Sequence, residues 1–334
     1  MSPAGKKLNS PLLLVLLLGS LLAAILVRVF ATSESNDLRE AQRRTPVLGT
    51  FATYIIITDS ANANPILSSM DSLARYLDDE LGTFGTGELS DLNRSGYTLV
   101  HELSPDLLYL LKKSLFISSI TDSLFDPAMG ALVNAWGFPL DPQIPDSSEL
   151  SDALDISGLK NLHISGDTLV LRRGTRLDFG AIAKGYIADR VYSHSRRAGA
   201  RAALVEIGGE IRCGGDIGRI WRVAVRNPRE EGILEMIEIE NGAVATSGDY
   251  ETYFFAGGVR LCHIIDPRTG YPERGTASAT VVSEDAATGD ALATAICVGG
   301  IQTAESIPDS LFDLIIVISE DETGEITEWR KGSI

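Results

Sequence analysis

From Thr168 to its end, the chain offers short runs of branched side chains broken by Gly and Pro turns, and only two helical stretches interrupt them. Thr168 to Leu171, Arg201 to Ile207, Trp221 to Arg226, Leu234 to Ile239, Ala279 to Ser283 and Leu314 to Ser319 read as strands. Helices are predicted near 181–197 and 287–298. A doubly wound fold requires strand and helix in regular alternation, which this chain lacks, as it lacks any repeat period. The expected class is therefore α+β, with mixed or antiparallel sheets and packed helices.

The first half supplies the helices. A buried strand at 50–58 is followed by Ile66, Met70, Leu73, Leu77 and Leu81 at helical spacing. Ser104, Pro105 and Asp106 start a second helix, with an N-cap hydroxyl, Pro in the first turn and an early acid, and its apolar positions run to Ile120. Residues 139–152 carry Pro139, Pro142 and Pro145 among acids, the pattern of a surface loop.

The amino terminus is of another kind. Pro11 to Val27 holds 17 residues without a charge, behind Lys6 and Lys7. As a helix it reaches about 26 Å against a hydrocarbon core of about 30 Å, and Arg28 can snorkel to lengthen it. No A-x-A site or lipid-bearing Cys follows, so residues 1–30 read as an uncleaved membrane anchor, with a cleaved signal segment as the alternative. Lys6 and Lys7 place the tail in the cytoplasm, against the opposing pull of Arg28, Arg39, Arg43 and Arg44. Both readings put the body in the periplasm or outside the cell. Residues 31–45 read as a tether and 46–330 as the folded domain.

Charge narrows the function classes. With 29 basic and 45 acidic residues the formal charge is −16, which repels nucleic acid and anionic lipid surfaces. Cys213, Cys262 and Cys297 are too widely spaced for a disulfide framework or a CxxC site.

Four segments concentrate chemistry. Leu124, Phe125, Asp126, Pro127, with Asn134 to Phe138, is either a turn with Asp126 bonded to backbone and Trp136 in the core, or an aromatic-walled cleft. Asp178 to Tyr186 stands at a strand-to-helix junction, where Lys184 and free N–H groups suit an anionic ligand; a plain helix start with a solvated lysine is the alternative. His263 precedes an Asp-Pro-Arg-Thr-Gly turn and suits proton transfer near neutrality, or is structural. Its neighbour Cys262 points to the opposite face and cannot pair with it. Asp290 and Thr294, spaced i, i+4, put two oxygens on one helix face, able to hold a hard cation with help from water, a carbonyl and phosphates, or else serve a helix start. Gly208-Gly209 and Gly214-Gly215 do not fit GxGxxG and precede no helix, so a nicotinamide-binding site is disfavoured.

In this order, the segments resemble the ApbE family, the FAD:protein FMN transferases. The resemblance spans about 45–330 and rests on Leu48-Gly49-Thr50, Leu89 to Asn93, Phe125-Asp126-Pro127 with Trp136-Gly137-Phe138, Asp178 to Tyr186 with Asp189, Gly208 to Ile211, Thr246 to Tyr250, His263 to Gly270 and Asp290 to Ala295. Eight pieces in register are far more specific than any one. The family's first motif usually has Met where this chain has Leu48, and the stretch around Phe84 is one residue shorter than usual.

The resemblance implies an ApbE-like, T-fold-related α+β body. It implies a magnesium-dependent enzyme that takes FAD, passes its FMN half to a Thr or Ser of a target protein and releases AMP. It assigns His263 as base. Leu48, Phe84, Leu124, Phe125, Asp126, Asp178, Lys184 and Ile264 become contacts to FAD, with Phe84 stacked on the adenine. Asp290, Thr294 and the carbonyls of Ala181 and Ala293 become magnesium ligands. The implied acceptors are extracytoplasmic or membrane flavoproteins, such as subunits of sodium-pumping NADH:quinone oxidoreductases and their Rnf relatives. FAD hydrolysis to FMN and AMP, or non-catalytic FAD binding, are the competing functions.

Overall fold

The computed structural model describes residues 38–59, 61–82, 85–321 and 323–334. The expected anchor, the first part of the tether and Phe84 lie outside the described residues. No described helix is long and apolar enough to cross a membrane.

An eight-stranded sheet organises the fold. In spatial order it runs β1 (Leu38–Val47), β2 (Thr50–Asp59), β6 (Ala202–Ile207), β7 (Glu210–Gly215), β10 (Gly242–Gly248), β13 (Thr276–Ser283), β14 (Leu314–Glu320) and β15 (Ile326–Gly332). Every neighbouring pair is antiparallel. Three small antiparallel sheets join it: β3 (Tyr97–Leu99) with β5 (Thr168–Leu171) and β4 (Leu162–Ser165), β8 (Trp221–Arg226) with β9 (Ile233–Ile239), and β11 (Tyr253–Ala256) with β12 (Val259–Cys262). The expected α+β class with antiparallel sheets and packed helices is what the structure has.

The large sheet is covered on both faces. Ala52, Tyr54 and Ile56 of β2 face one core with helices α1 (Ala63–Leu81), α3 (Pro105–Ile120), α6 (Ala183–Arg197) and α7 (Ala286–Ser306); Ile55 and Ile57 face a second core under the β8–β9 ribbon. Burial on both faces explains why this strand reads as one apolar run instead of alternating. A third cluster joins α4 (Gly130–Trp136) and α5 (Ser147–Ile156) to the inner face of β11–β12. The remaining helix, α2 (Glu88–Ser95), packs on α1.

Local signals held where they were strongest. The Ser104 hydroxyl accepts from Leu107 N–H and Pro105 opens α3, which ends at Ile120 as expected. Two expectations need correction. Residues 38–45, read as tether, form most of edge strand β1; its outward Arg39, Glu40 and Arg44 gave it the polarity of a linker, and charge on an edge blunts unwanted strand pairing. Within the expected loop 139–152, the chain enters α5 at Ser147. Asp146 and Glu149 form a capping box there, and Leu150 and Ala153 are buried.

Candidate active site

Two helices create the site by crossing closely. Near the start of α6, a Cβ on Gly185 would lie 2.3 Å from the Ala286 carbonyl oxygen, so only glycine permits the approach of α7. Asp189, one turn further along α6, accepts the N–H groups of Ala286 and Ala287 at 2.9 Å each and so caps α7. In return Asp290, from α7, accepts Gly185 N–H at 2.9 Å. Each helix start thus receives a carboxylate from the other, the charge its dipole favours. Gly185→Ala is expected to lower stability by about 1–3 kcal/mol through overpacking. Thermal unfolding checks this, and an unchanged midpoint would mean that the crossing relaxes freely.

The same crossing gathers a buried ion cluster. Lys184 Nζ lies 2.6 Å from Glu210 Oε1 and 4.0 Å from Glu251 Oε2. The Gly208-Gly209 turn, with φ of 60° and 109°, reverses the chain so that Glu210 opens β7 beneath the lysine. Glu210 is 1% exposed and Asp290 2%. Burial pushes the carboxyls of Glu210, Glu251 and Asp290 upward, and the Lys184 charge only partly offsets this. Burial alone would depress the Lys184 ammonium, but the three carboxylates outweigh it and raise its pKa. One ammonium therefore faces three carboxyl groups, and the buried Glu210 Oε2 has no hydrogen-bond partner within the turn that places it.

That imbalance fits a divalent cation. Asp290 and Thr294 sit one turn apart on α7, with the Thr294 hydroxyl 3.2 Å from that of Ser247. No group of three or more His, Cys, Asp or Glu side chains forms a metal cage among the described residues. The donors are hydroxyl, carboxylate and carbonyl oxygens, the hard set that suits magnesium completed by water and phosphate. Ala181 lies in the turn before α6, whereas Ala293 is buried within α7 between Asp290 and Thr294.

His263 follows β12 directly. Its main-chain N–H donates to the Thr252 carbonyl at 2.9 Å, and ring Nδ1 lies 3.2 Å from the same oxygen. A carbonyl only accepts, so Nδ1 carries the proton and Nε2 keeps its lone pair. Burial, aided by the Lys184 charge, draws the imidazole down to about 4. It is neutral at physiological pH, with the Nε2 lone pair unprotonated. Because its proton is held more weakly in the folded than in the unfolded chain, stability from this group falls as pH drops from 6.5 towards 4. A kcat profile against pH should show no acid limb at 6.5; a limb there would mean that the ring titrates as if in water.

The other expected site residues spread around this centre. Asp178 N–H donates to the Pro127 carbonyl at 2.7 Å and its carboxylate accepts from Gly180 N–H at 2.7 Å, which ties two motifs together. The Asp126 carboxylate binds the N–H groups of Ala128 and Leu159 at 2.8 and 2.9 Å, and Trp136 Nε1 donates to the Gly270 carbonyl at 2.7 Å. These are the contacts of a turn with Trp136 in the core, and burial raises the Asp126 carboxyl. Phe125 and Ile264 are buried in the main core, with Leu124 packed against it. Leu48 sits at the β1–β2 turn with φ 51°, its N–H donating to Asp78 Oδ2 at 2.8 Å. Lys184 is engaged with carboxylates rather than solvated.

Glu210 and Glu251 were not foreseen as site residues. Their signal was present: each is an acid inside a Gly-rich or apolar stretch, where burial demands a partner. A cleft of about 470 Å³ opens beside Asp266, Arg268, Tyr271, Glu273 and Val298. Neither His263 nor any member of the ion cluster lines it.

Known proteins share this arrangement of the chain. The family-wide profile described as "ApbE family" matches residues 48–315. The FAD:protein FMN transferase of Rhodobacter capsulatus is 38% identical over 252 residues, covering 72% of this chain and 47% of the relative, so the chain spans about half of that protein's length. The FAD:protein FMN transferase of Vibrio cholerae is 32% identical over 291 residues, 84% of this chain and 87% of the relative. The crystal structure of the ApbE protein of Thermotoga maritima superposes with a TM-score of 0.76 at 31% identity, covering 86% of this chain and 96% of that one. The flavin transferase ApbE of Vibrio cholerae gives 0.77 at 29% identity, covering 88% and 97%. A profile match over residues 48–315, together with a relative 32% identical over 84% of this chain and a solved structure that covers 86% of it, shows that this chain belongs to the ApbE family.

Proposed function

We propose that this protein is a magnesium-dependent FAD:protein FMN transferase acting outside the cytoplasm on a Thr or Ser of a membrane or exported flavoprotein. The observation that carries the reading is the buried Lys184, Glu210, Glu251 and Asp290 cluster, with neutral His263 beside it. The names of the relatives support FAD as the donor and a protein as the acceptor.

In the reaction, the acceptor hydroxyl oxygen bonds to the phosphorus of the FMN half of FAD. The bond from that phosphorus to the bridging oxygen breaks, and AMP leaves with that oxygen. His263 Nε2 takes the hydroxyl proton, its lone pair kept available by the Nδ1 contact to Thr252. Bound magnesium, held by Asp290, Thr294 and the Ala181 carbonyl, would neutralise charge on the diphosphate oxygens. The Ala293 carbonyl is a further candidate ligand on α7. Lys184 keeps Glu210 and Glu251 compensated and so preserves the geometry of the helix crossing. The phosphates approach the start of α6, the positive end of its helix dipole. We assign Asp178 and the turn at Asp126 to the rim that holds the flavin nucleotide. The charge-free Pro11 to Val27 stretch supports attachment to the membrane with the body outside.

The test is to incubate the full-length protein with FAD and magnesium, with and without a flavoprotein domain that offers a Thr, and to follow AMP and acceptor mass together. One FMN gained per AMP released is expected. AMP without mass gain would make the protein an FAD hydrolase, and bound FAD without AMP under any condition would make it a binding module.

A further inference from the structure

The segment from Ser247 to Thr252 runs between the two halves of the site. Strand β10 ends at Gly248 and β11 starts at Tyr253. Just before this connection, the Ser247 hydroxyl lies 3.2 Å from that of Thr294, on the side proposed for the cation. At its far end the Thr252 carbonyl accepts the main-chain N–H of His263 at 2.9 Å and faces ring Nδ1 at 3.2 Å. Residues 249–252 therefore set how far the base stands from the cation side.

This connection is held along its whole length. Asp249 N–H donates to the Ala277 carbonyl at 3.2 Å, and Glu251 N–H donates to that of Gly248 at 3.4 Å, which closes a turn. The Tyr250 ring folds back over Gly248, where a Cβ would come within 2.4 Å of it. Glu251 reaches the helix crossing, 4.0 Å from Lys184 Nζ. The strongest hold is on Asp249, whose carboxylate accepts from both terminal nitrogens of Arg229 at 2.7 Å each and from Arg260 at 3.3 Å. Arg229 is itself fixed by Glu320 of β14. A two-pronged guanidinium–carboxylate pair fixes direction as well as distance. The Arg229 and Asp249 side chains are only 15% and 20% exposed, so water and salt screen the pair little. Asp249 forms no hydrogen bond or ion pair with His263, Asp290 or Thr294 among the described residues, so it acts on them only through the backbone of the turn.

We propose that Asp249, gripped by Arg229, is a positioning residue for the general base: it fixes the turn whose Thr252 carbonyl sets the tautomer and the place of His263. This rests on the transferase reading above. Loosening the grip lets the Thr252 carbonyl drift from Nδ1, and the ring loses the contact that keeps the proton off Nε2.

The experiment compares full-length wild type with Asp249→Asn, Arg229→Lys, the double variant, and Glu238→Gln, which removes an exposed ion pair to Arg222 on the β8–β9 ribbon. Asparagine sets an amide nitrogen against a guanidinium N–H, and lysine cannot engage both oxygens in the same fork. The readouts are kcat for AMP release at saturating FAD and acceptor, FAD affinity, thermal midpoint, and the nitrogen NMR signals of the His263 ring in histidine-labelled protein. The chain has four histidines, so the His263 signals are identified by their loss in His263→Ala. Wild type should show Nδ1 protonated and Nε2 bare. Each single variant should mix the two tautomers and lower kcat about 10- to 100-fold, the range for groups that orient a metal-bound histidine, with FAD affinity within about 3-fold of wild type. The double variant should match the weaker single, because both changes break one contact. Glu238→Gln should match wild type throughout. A kcat near wild type in both singles, or unchanged ring signals beside a lowered kcat, overturns the positioning role. So does a fall in FAD affinity as large as the fall in kcat, which would make the turn part of the substrate site. If Asp249→Asn does not fold, Arg229→Lys decides between these outcomes. Wild-type protein that adds no FMN to the acceptor overturns the transferase reading, whereas the ring signals of the variants still show whether the grip of Arg229 on Asp249 seats His263.

Discussion

Asp290→Asn should reduce FMN transfer by on the order of 100- to 1,000-fold while the fold persists. The size follows from loosening the hold on a cation that would offset the developing negative charge of a phosphoryl transfer. Asparagine keeps an oxygen to accept Gly185 N–H, so the helix crossing retains its 2.9 Å contact. What it loses is the hard anionic ligand. Transfer rates over a magnesium titration, with thermal unfolding of both proteins, check the result. A variant within 10-fold of wild type at every magnesium concentration would remove Asp290 from the metal site. Asp290→Ala should be worse in stability, because it leaves a buried N–H without its acceptor, a cost of about 1–3 kcal/mol.

The second large effect is expected from His263→Ala. It should lower kcat about 100-fold or more, within the usual range for a general base, and leave FAD affinity near wild type. Selectivity for kcat follows from position: the ring is fixed through Thr252, and its free Nε2 is the atom available to an acceptor hydroxyl. Rapid-mixing measurement of AMP release at saturating FAD and acceptor, beside direct FAD titration, separates the two quantities. Weaker FAD binding with kcat intact would make His263 a substrate contact and move the base elsewhere.

The fate of the two surprises shows what a local pattern can carry. Strand β1 hid as a tether because an edge strand needs only one paired side and tolerates Arg39, Glu40 and Arg44 facing water. Helix α5 hid behind Pro139, Pro142 and Pro145, although Asp146 and Glu149 spelled its capping box. By contrast, α3 was readable end to end, since its cap, first-turn proline and apolar spacing all lie within one continuous segment.

For the site, the sequence by itself determined the family and supplied the candidate reacting groups. Asp290 and Thr294 share a helix face because 3.6 residues make a turn, and His263 stands apart from Cys262 because neighbours on an extended chain face opposite ways. Only the tertiary structure decided that Lys184 meets Glu210 and Glu251, and that Asp290 reaches Gly185 from 105 residues away. Short periods fix what one element presents. The partners of a buried charge are fixed by which elements cross, and here Gly185 lets two helix starts approach closely enough to exchange carboxylates.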